Sequence, residues 1–270
     1  MSPIYVPGKV TLAKEFTQQS YMWEFPQQYG LWSPAEISTA LWLDSADAST
    51  VTLNSSNVSQ WNDKSGNGKH VSATGAAQPL YVSAAQNSNN IIRFDGVNDV
   101  LQRTAPLITG TAARSTFIVA KDLNAGVVFD YGADQAMGRY STRLNAAFIG
   151  FNTSNIQWST IGDAQYGVYA FIQAGSTTNS INGFWNGTQY SFTDSVQPTS
   201  VINTASGVIT VGCQVDLSGF GQADVAEIVV VSGAVSLSVR QKIEGYLAHK
   251  WGLTANLPSG HPYKTVGPTP

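Results

Sequence analysis

The densest concentration of chemistry-bearing side chains is WNDKSGNGKH, Trp61 to His70. Asp63, Ser65 and Asn67 place oxygen-bearing side chains at every second position, and Gly68 follows them. That alternation can aim ligands at one hard cation, and the glycine permits the sharp turn a calcium loop needs. Thr74 stands where such a loop would supply a bidentate Glu. The competing expectation is a tight Asx turn, in which Asp and Asn side chains satisfy their own backbone. Calcium is therefore the one candidate cofactor, and no other is expected. RFDGVNDVL, Arg93 to Leu101, adds Asp95, Asn98 and Asp99 and reads as a strand ending in a glycine turn.

A second group is aromatic. Trp158, Tyr166, Tyr169, Trp185 and Tyr190 lie among Asn, Gln, Ser and Thr. Flat rings take sugar faces, and amides and hydroxyls take sugar hydroxyls, so Trp158, Tyr166, Trp185 and Tyr190 are candidate glycan-binding residues. The alternative is that half or more of them are core. Trp42, Trp61 and Trp251 are assigned to the core outright. A third aromatic group, Tyr5, Phe16, Tyr21, Trp23, Phe25, Tyr29 and Trp32, is interleaved with Pro3, Pro7, Pro26 and Pro34. Proline at that density excludes a long helix or central strand, and so many rings do not suit a disordered linker. Residues 1–38 are expected to be an extended anchoring arm. It would pack Tyr5, Phe16, Tyr21, Trp23, Phe25 and Trp32 onto its own body or onto a neighbouring subunit.

The elements that position these groups are mostly strands. Candidates are Ala40–Leu43, Ile91–Phe94, Ser115–Lys121, Gly126–Tyr131, Asn145–Phe151, Gly167–Gln173, Ser180–Trp185, Gly207–Cys213 and Val225–Ser232. They are short, rich in Val, Ile, Phe and Tyr, and separated by Gly, Asn, Asp and Ser, as in an antiparallel sandwich or jelly roll. Asn182-Gly183 and Asn186-Gly187 are hairpin-turn dipeptides. The β-branched run Val225–Val231 predicts a strand buried on both faces. Ser236 or Ser238 then caps a helix, Ser238 with Gln241 fitting a capping box. Val239, Ile243, Tyr246, Leu247 and Trp251 give it an apolar face, and Gly252 ends it. Residues 39–257 form the β domain, and 258–270 a proline-rich tail expected on the surface or hanging free.

Composition narrows the function. Of 270 residues only 11% are charged, against roughly 25% in an average soluble domain. The formal net charge is -3, and no Lys/Arg cluster is present, which argues against nucleic acid as a partner. The single cysteine, Cys213, lies in an apolar strand-like context and reads as a buried thiol. No stretch reaches the roughly 20 apolar residues of a membrane span. The opening residues lack the pattern of a signal peptide, although the neutral, hydroxyl- and amide-rich composition suits an extracellular or particle surface. A virion protein, made in the host cytoplasm and released by lysis, reconciles the two.

LWLDSADAST (41–50), QWNDKSGNGKHVSAT (60–74), IIRFDGVNDVL (91–101), the strand–helix segment DVAEIVVVSGAVSLSVRQKIEGYLAHKWGL and LPSGHPYK occur in that order. Together they resemble the concanavalin A-like, laminin-G-like jelly-roll modules of bacterial surface proteins and phage structural proteins. The resemblance covers roughly residues 39–264. It implies an all-β fold: a two-sheet antiparallel jelly-roll sandwich with one C-terminal helix, to which this chain adds the N-terminal arm. It also implies glycan binding, adhesion or assembly, and in some modules calcium held by loop carboxylates, which here points to Asp63 and Asn67.

Enzymes share this fold, so catalysis is argued from the site. Glucanases of this fold carry E-x-D-x-E on one strand, which sets nucleophile and acid on one face. The five glutamates here, Glu15, Glu24, Glu36, Glu227 and Glu244, never fall in that pattern. A lyase would need His, Tyr and Arg together, whereas His70, His249 and His261 fall in a loop, on the helix and in the tail. No catalytic residue is assigned. The expectation is a non-enzymatic bacteriophage virion surface protein, such as a capsid decoration, head fibre or tail component. Its partners would be other virion proteins and sister copies through the arm, and host surface polysaccharide through the lectin-like domain. The alternatives are a secreted bacterial glycan-binding adhesin module and a polysaccharide hydrolase or lyase.

Overall fold

A computed structural model describes residues 31–124, 126–144, 148–150, 155–158, 164–190, 192–195 and 200–270. The strands, in order, are β1 (Thr39–Asp44), β2 (Val51–Asn54), β3 (Asn57–Trp61), β4 (Val71–Ser72), β5 (Leu80–Gln86), β6 (Asn89–Asp95), β7 (Leu101–Thr104), β8 (Arg114–Asn124) and β9 (Val127–Gly132). They continue as β10 (Arg139–Arg143), β11 (Phe148–Gly150), β12 (Asn155–Trp158), β13 (Tyr166–Gln173), β14 (Ile181–Trp185), β15 (Thr188–Tyr190), β16 (Phe192–Ser195), β17 (Val208–Val211) and β18 (Gln222–Ser232). One α-helix, α1 (Leu237–Lys250), follows.

The ladders run in two rows. The front row is β15–β14–β13–β8–β18, with β1 on the C-terminal half of β18's far edge, β6 on the N-terminal half, and β5 beyond β6. The back row is β2–β3–β4–β7–β17–β9–β10–β11–β12–β16. A single bridge, Asn57 to Leu80, joins them. All the ladders are antiparallel, as expected for a sandwich. Alternation decides the layers. Ile118, Tyr169, Phe171, Ile228 and Val230 from the front row meet Trp61, Val71, Leu101, Phe129 and Ile209 from the back row in one buried cluster.

The opposite face of the front sheet is covered too. Trp42, Phe117, Val168, Ala170 and Val229 pack beneath Ile243, Leu247 and Trp251 of α1 and its end. Strand β18 is thus buried on both sides, which is why its apolar residues run on without alternation. Ser236 caps α1, its Oγ accepting from Val239 N–H at 3.4 Å. The Ser238–Gln241 pair therefore falls inside the first turn and is not the cap. At the other end Leu253 N–H reaches Ala248 C=O at 2.7 Å, closing a Schellman turn over Gly252 at φ +68.

One expectation changes, and two left open are narrowed. Asn186-Gly187 is the tip of the β14–β15 hairpin, with φ +49 and +79, but Asn182-Gly183 lies inside β14. There Asn182 pairs with Ile172 and Gly183 with Phe171 and Tyr190, so no turn forms. The tail lies on the surface, one of its two expected placements, and is tethered there. His261 is buried, Tyr263 lies against Gly245 of α1, and Lys264 Nζ donates to the carbonyls of Thr254, Ala255 and Leu257. Trp32 packs onto its own body, one of the two placements expected for the rings of the N-terminal segment. Its N–H donates to Pro268 C=O at 2.8 Å and its indole meets Tyr246 edge-on at 6.2 Å. The other anchoring candidates, Tyr5, Phe16, Tyr21, Trp23 and Phe25, lie outside the described residues.

Candidate functional site

The loop that offered either a cation site or an Asx turn is a hydrogen-bonded turn. Asp63 is buried, its Oδ1 accepting from the N–H groups of Trp42 and Ser65 at 3.0 and 2.9 Å. Its Oδ2 accepts from Ser65 Oγ–H and Lys69 N–H at 2.8 and 3.0 Å. Asn67 turns its amide nitrogen, not its oxygen, toward Ser65 Oγ and the Thr39 carbonyl. The side chains of Asp63, Ser65 and Asn67 do come together, but donors fill the carboxylate where a cation would sit. Among the described residues no group of three or more His, Cys, Asp or Glu is placed to hold a metal.

The aromatic candidates divide by strand parity. Tyr166 shares the helix-side face of β13 with Val168 and Ala170. Its hydroxyl donates to Asp224 Oδ2 at 2.9 Å, a carboxylate that also takes a bidentate bond from Arg93. Burial foremost, then the Asp224 charge, pushes the Tyr166 phenol well above its usual range. Trp185 pairs with Tyr169 and so faces the sandwich interior, where Gly167 leaves room for its indole. Tyr190 lies beside it, ring centroids 6.5 Å apart. Tyr166 and the Trp185–Tyr190 pair are therefore on opposite faces of the front sheet and cannot form one platform. The side chain of Trp158 lies outside the described residues.

The polar groups that share a concave space were not among the candidates. On the helix side of the β14–β15 hairpin, Asn182, Phe184 and Gln189 face the start of α1 across a groove of about 320 Å3, with Ile172, Leu237 and Arg240 completing its wall. That volume sits at the small end of ligand clefts, roughly 300–1,000 Å3. The floor is apolar, and Leu237 stands 63% exposed at the rim. The Arg240 guanidinium stacks over Phe184 at 3.9 Å and is held by one hydrogen bond, to Glu244 Oε1 at 2.6 Å. Glu244 is wholly buried, and its Oε2 lies 3.3 Å from His261 Nε2. Gln189 Nε2 donates to Asn182 Oδ1 at 3.0 Å. That bond leaves the Asn182 amide N–H groups as donors and Gln189 Oε1 as an acceptor. A hydroxyl is both at once and matches such a pair.

Two buried charged clusters lie away from the groove. Glu227 is fully buried. Its Oε1 accepts from Trp42 Nε1–H and Tyr246 O–H at 2.7 and 3.1 Å, and its Oε2 from Lys250 Nζ and Trp251 Nε1–H at 2.7 and 2.8 Å. A register shift between Val225 and Glu227 turns it to the helix side, beside Ala226. Burial raises its pKa, while the Lys250 charge opposes the rise. The carboxylate ties α1 to β1 and β18. On the outer face of the back sheet, Asp130 lines up with Ser141 and Thr210. Val215 N–H donates to Asp130 Oδ2 at 3.1 Å, and Ser141 lies directly across the ladder from it. Burial pushes the Asp130 carboxyl up to about 7. Glu227 and Glu244, expected to be structural, are both wholly inside the protein and in ion pairs.

No protein-family model matches the chain, and no curated protein matches it. Solved structures resemble it in fold. One is domain 4 of AbnA, a GH43 extracellular arabinanase from Geobacillus stearothermophilus, in complex with arabinotriose. It has a TM-score of 0.50 and 14% identity over 74% of this chain and 95% of that one. Another is an arabinofuranosidase complexed with arabinofuranosyl-α-1,2-xylobiose, at 0.53 and 16% over 79% and 59%. A third is the receptor binding domain of botulinum neurotoxin D, at 0.50 and 11% over 78% and 53%. The chain spans less than two thirds of the last two. At these identities the likeness establishes the β-sandwich fold alone.

Proposed function

We propose that this chain is a glycan-binding β-sandwich module and that it binds without turning over its ligand. The observation that carries the reading is the groove between the β14–β15 hairpin and α1. An apolar ring floor is bordered there by one amide donor set, one amide acceptor and an oriented guanidinium. Sugars present apolar C–H faces and hydroxyls that both donate and accept, so the groove complements both halves of the ligand. The fold likeness to domains solved with arabinose-containing saccharides supports the same class of ligand. The burial of Glu227 and Glu244 in ion pairs supports binding over hydrolysis. The charge-poor composition and the resemblance to phage structural modules support a setting on a virion, beside other particle proteins.

The test is titration calorimetry of the full chain against a panel of oligosaccharides, arabinotriose included. Phe184→Ala, and the double change Asn182→Ala with Gln189→Ala, should each weaken the best ligand by about tenfold, ~1.4 kcal/mol. Binding that neither variant alters places the ligand elsewhere and overturns the groove assignment. Release of reducing sugar during the titration overturns the non-enzymatic part.

A further inference from the structure

Resting on the groove as a saccharide site, we infer that it selects neutral glycans over acidic ones, and that the Arg240–Glu244 pair sets this preference. Among the described residues Arg240 is the only charged side chain lining the groove. An exposed arginine in a sugar cleft would ordinarily favour a carboxylate, through a bidentate pair. This one is different on three counts. Its charge is met by Glu244 Oε1 at 2.6 Å, from a carboxylate that is itself wholly buried. Its plane is fixed by the Phe184 ring at 3.9 Å. Asn182 and Gln189, opposite, bring no charge.

A uronic acid carboxylate entering the groove would approach Arg240 and Glu244 together. The attraction of one is largely cancelled by the repulsion of the other, while the ligand still gives up its hydration. A neutral hydroxyl gives up far less, and it meets N–H groups already held in direction. Among the described residues the guanidinium makes one hydrogen bond, to Glu244, and its side chain, 10% exposed, lines the groove. Its remaining N–H groups are the donors this wall of the groove offers a ligand. Glu244 therefore acts as a positioning residue that neutralises, and Arg240 as the donor that reads a sugar hydroxyl.

The experiment compares a neutral and an acidic ligand of equal length, a galactose and a galacturonate oligosaccharide, by calorimetry on the wild type, Glu244→Gln and Arg240→Gln. Glu244→Gln keeps an amide oxygen for Arg240 and removes the charge. The wild type should bind the neutral ligand more tightly, by about tenfold or more. Glu244→Gln should shift the neutral-to-acidic ratio toward the acid by about tenfold, and Arg240→Gln should weaken the neutral ligand by about fivefold. Thermal melts establish that each variant is folded. Should Glu244→Gln not fold, the wild type still decides. Its affinity for the neutral ligand should stay within about twofold as ionic strength is raised past the point where the Debye length falls to a few ångström. A wild type that prefers galacturonate, an unchanged ratio in a folded Glu244→Gln, or steep salt dependence overturns the inference while leaving saccharide binding intact. Failure of both ligands and of the wider panel overturns the groove reading and this inference with it.

Discussion

Asp130 makes the back sheet sensitive to pH, and Asp130→Asn isolates the effect. The carboxyl sits at 0% exposure, its Oδ2 accepting from Val215 N–H at 3.1 Å, so few donors offset the loss of water. Its pKa rises from 3.8 to about 7, chiefly through burial. The folded state thus holds the proton through a range in which the unfolded chain has lost it. Stability is highest below the unfolded value and is lost as pH climbs through the folded one. At roughly 1.4 kcal/mol per unit the full loss is about 4 kcal/mol, of which about 3 falls between pH 5 and pH 8. Asn is isosteric and can keep the bond from Val215. It should be nearly neutral below about pH 4, stabilising by roughly 1.5 kcal/mol near pH 5 and by about 4 kcal/mol near pH 8, so its advantage in melting temperature should widen by roughly 5–10 °C between pH 5 and pH 8 for a chain of this size. Melts of both proteins across this range measure the difference directly, since titrations elsewhere cancel. Parallel curves for wild type and variant would refute the reasoning.

Other perturbations read other parts of the structure. Trp32→Ala removes a ring that is 2% exposed against Tyr246 and should cost about 3–5 kcal/mol in denaturant unfolding, whereas a free anchoring residue would cost nothing. Gly245→Ala places a Cβ 2.5 Å from Tyr263, so despite the better helix propensity it should destabilise by about 1–3 kcal/mol and speed proteolysis of the tail. Chelator should leave the melting temperature unchanged, because four donors already fill the Asp63 carboxylate; a lowered melt would restore the cation reading. Cys213, buried and pushed up to about 12, should resist thiol reagents until the protein is unfolded.

The sequence made the fold legible where burial is two-sided. Strands β8, β13 and β18 and the helix α1 were foreseen, because long β-branched runs and a helical apolar face leave few alternatives. Strands β2, β4, β5 and β7 were not. Val51–Asn54 is largely exposed, and Val71–Ser72 has two residues, so neither carries an alternation long enough to see. The pair Asn182-Gly183 misled because its neighbours on β13 and β15, and not its own preference, decide its conformation. The site was harder still. Asn182, Phe184 and Gln189 do alternate within one hairpin, a signal that was present in NGFWNGTQY, but Arg240 reaches them only because α1 folds back over the front sheet. Tyr166 and Trp185 looked alike in sequence, and one step of strand parity separated them.

The central claim is that the groove at Phe184 receives a saccharide. The most direct test is amide chemical-shift mapping on nitrogen-labelled protein as the best-binding oligosaccharide is added. Saturable shifts should cluster at Asn182, Phe184, Gln189 and Arg240. Shifts centred instead on Asp130, Ser141 and Thr210 of the back sheet, or on no contiguous surface, would contradict it.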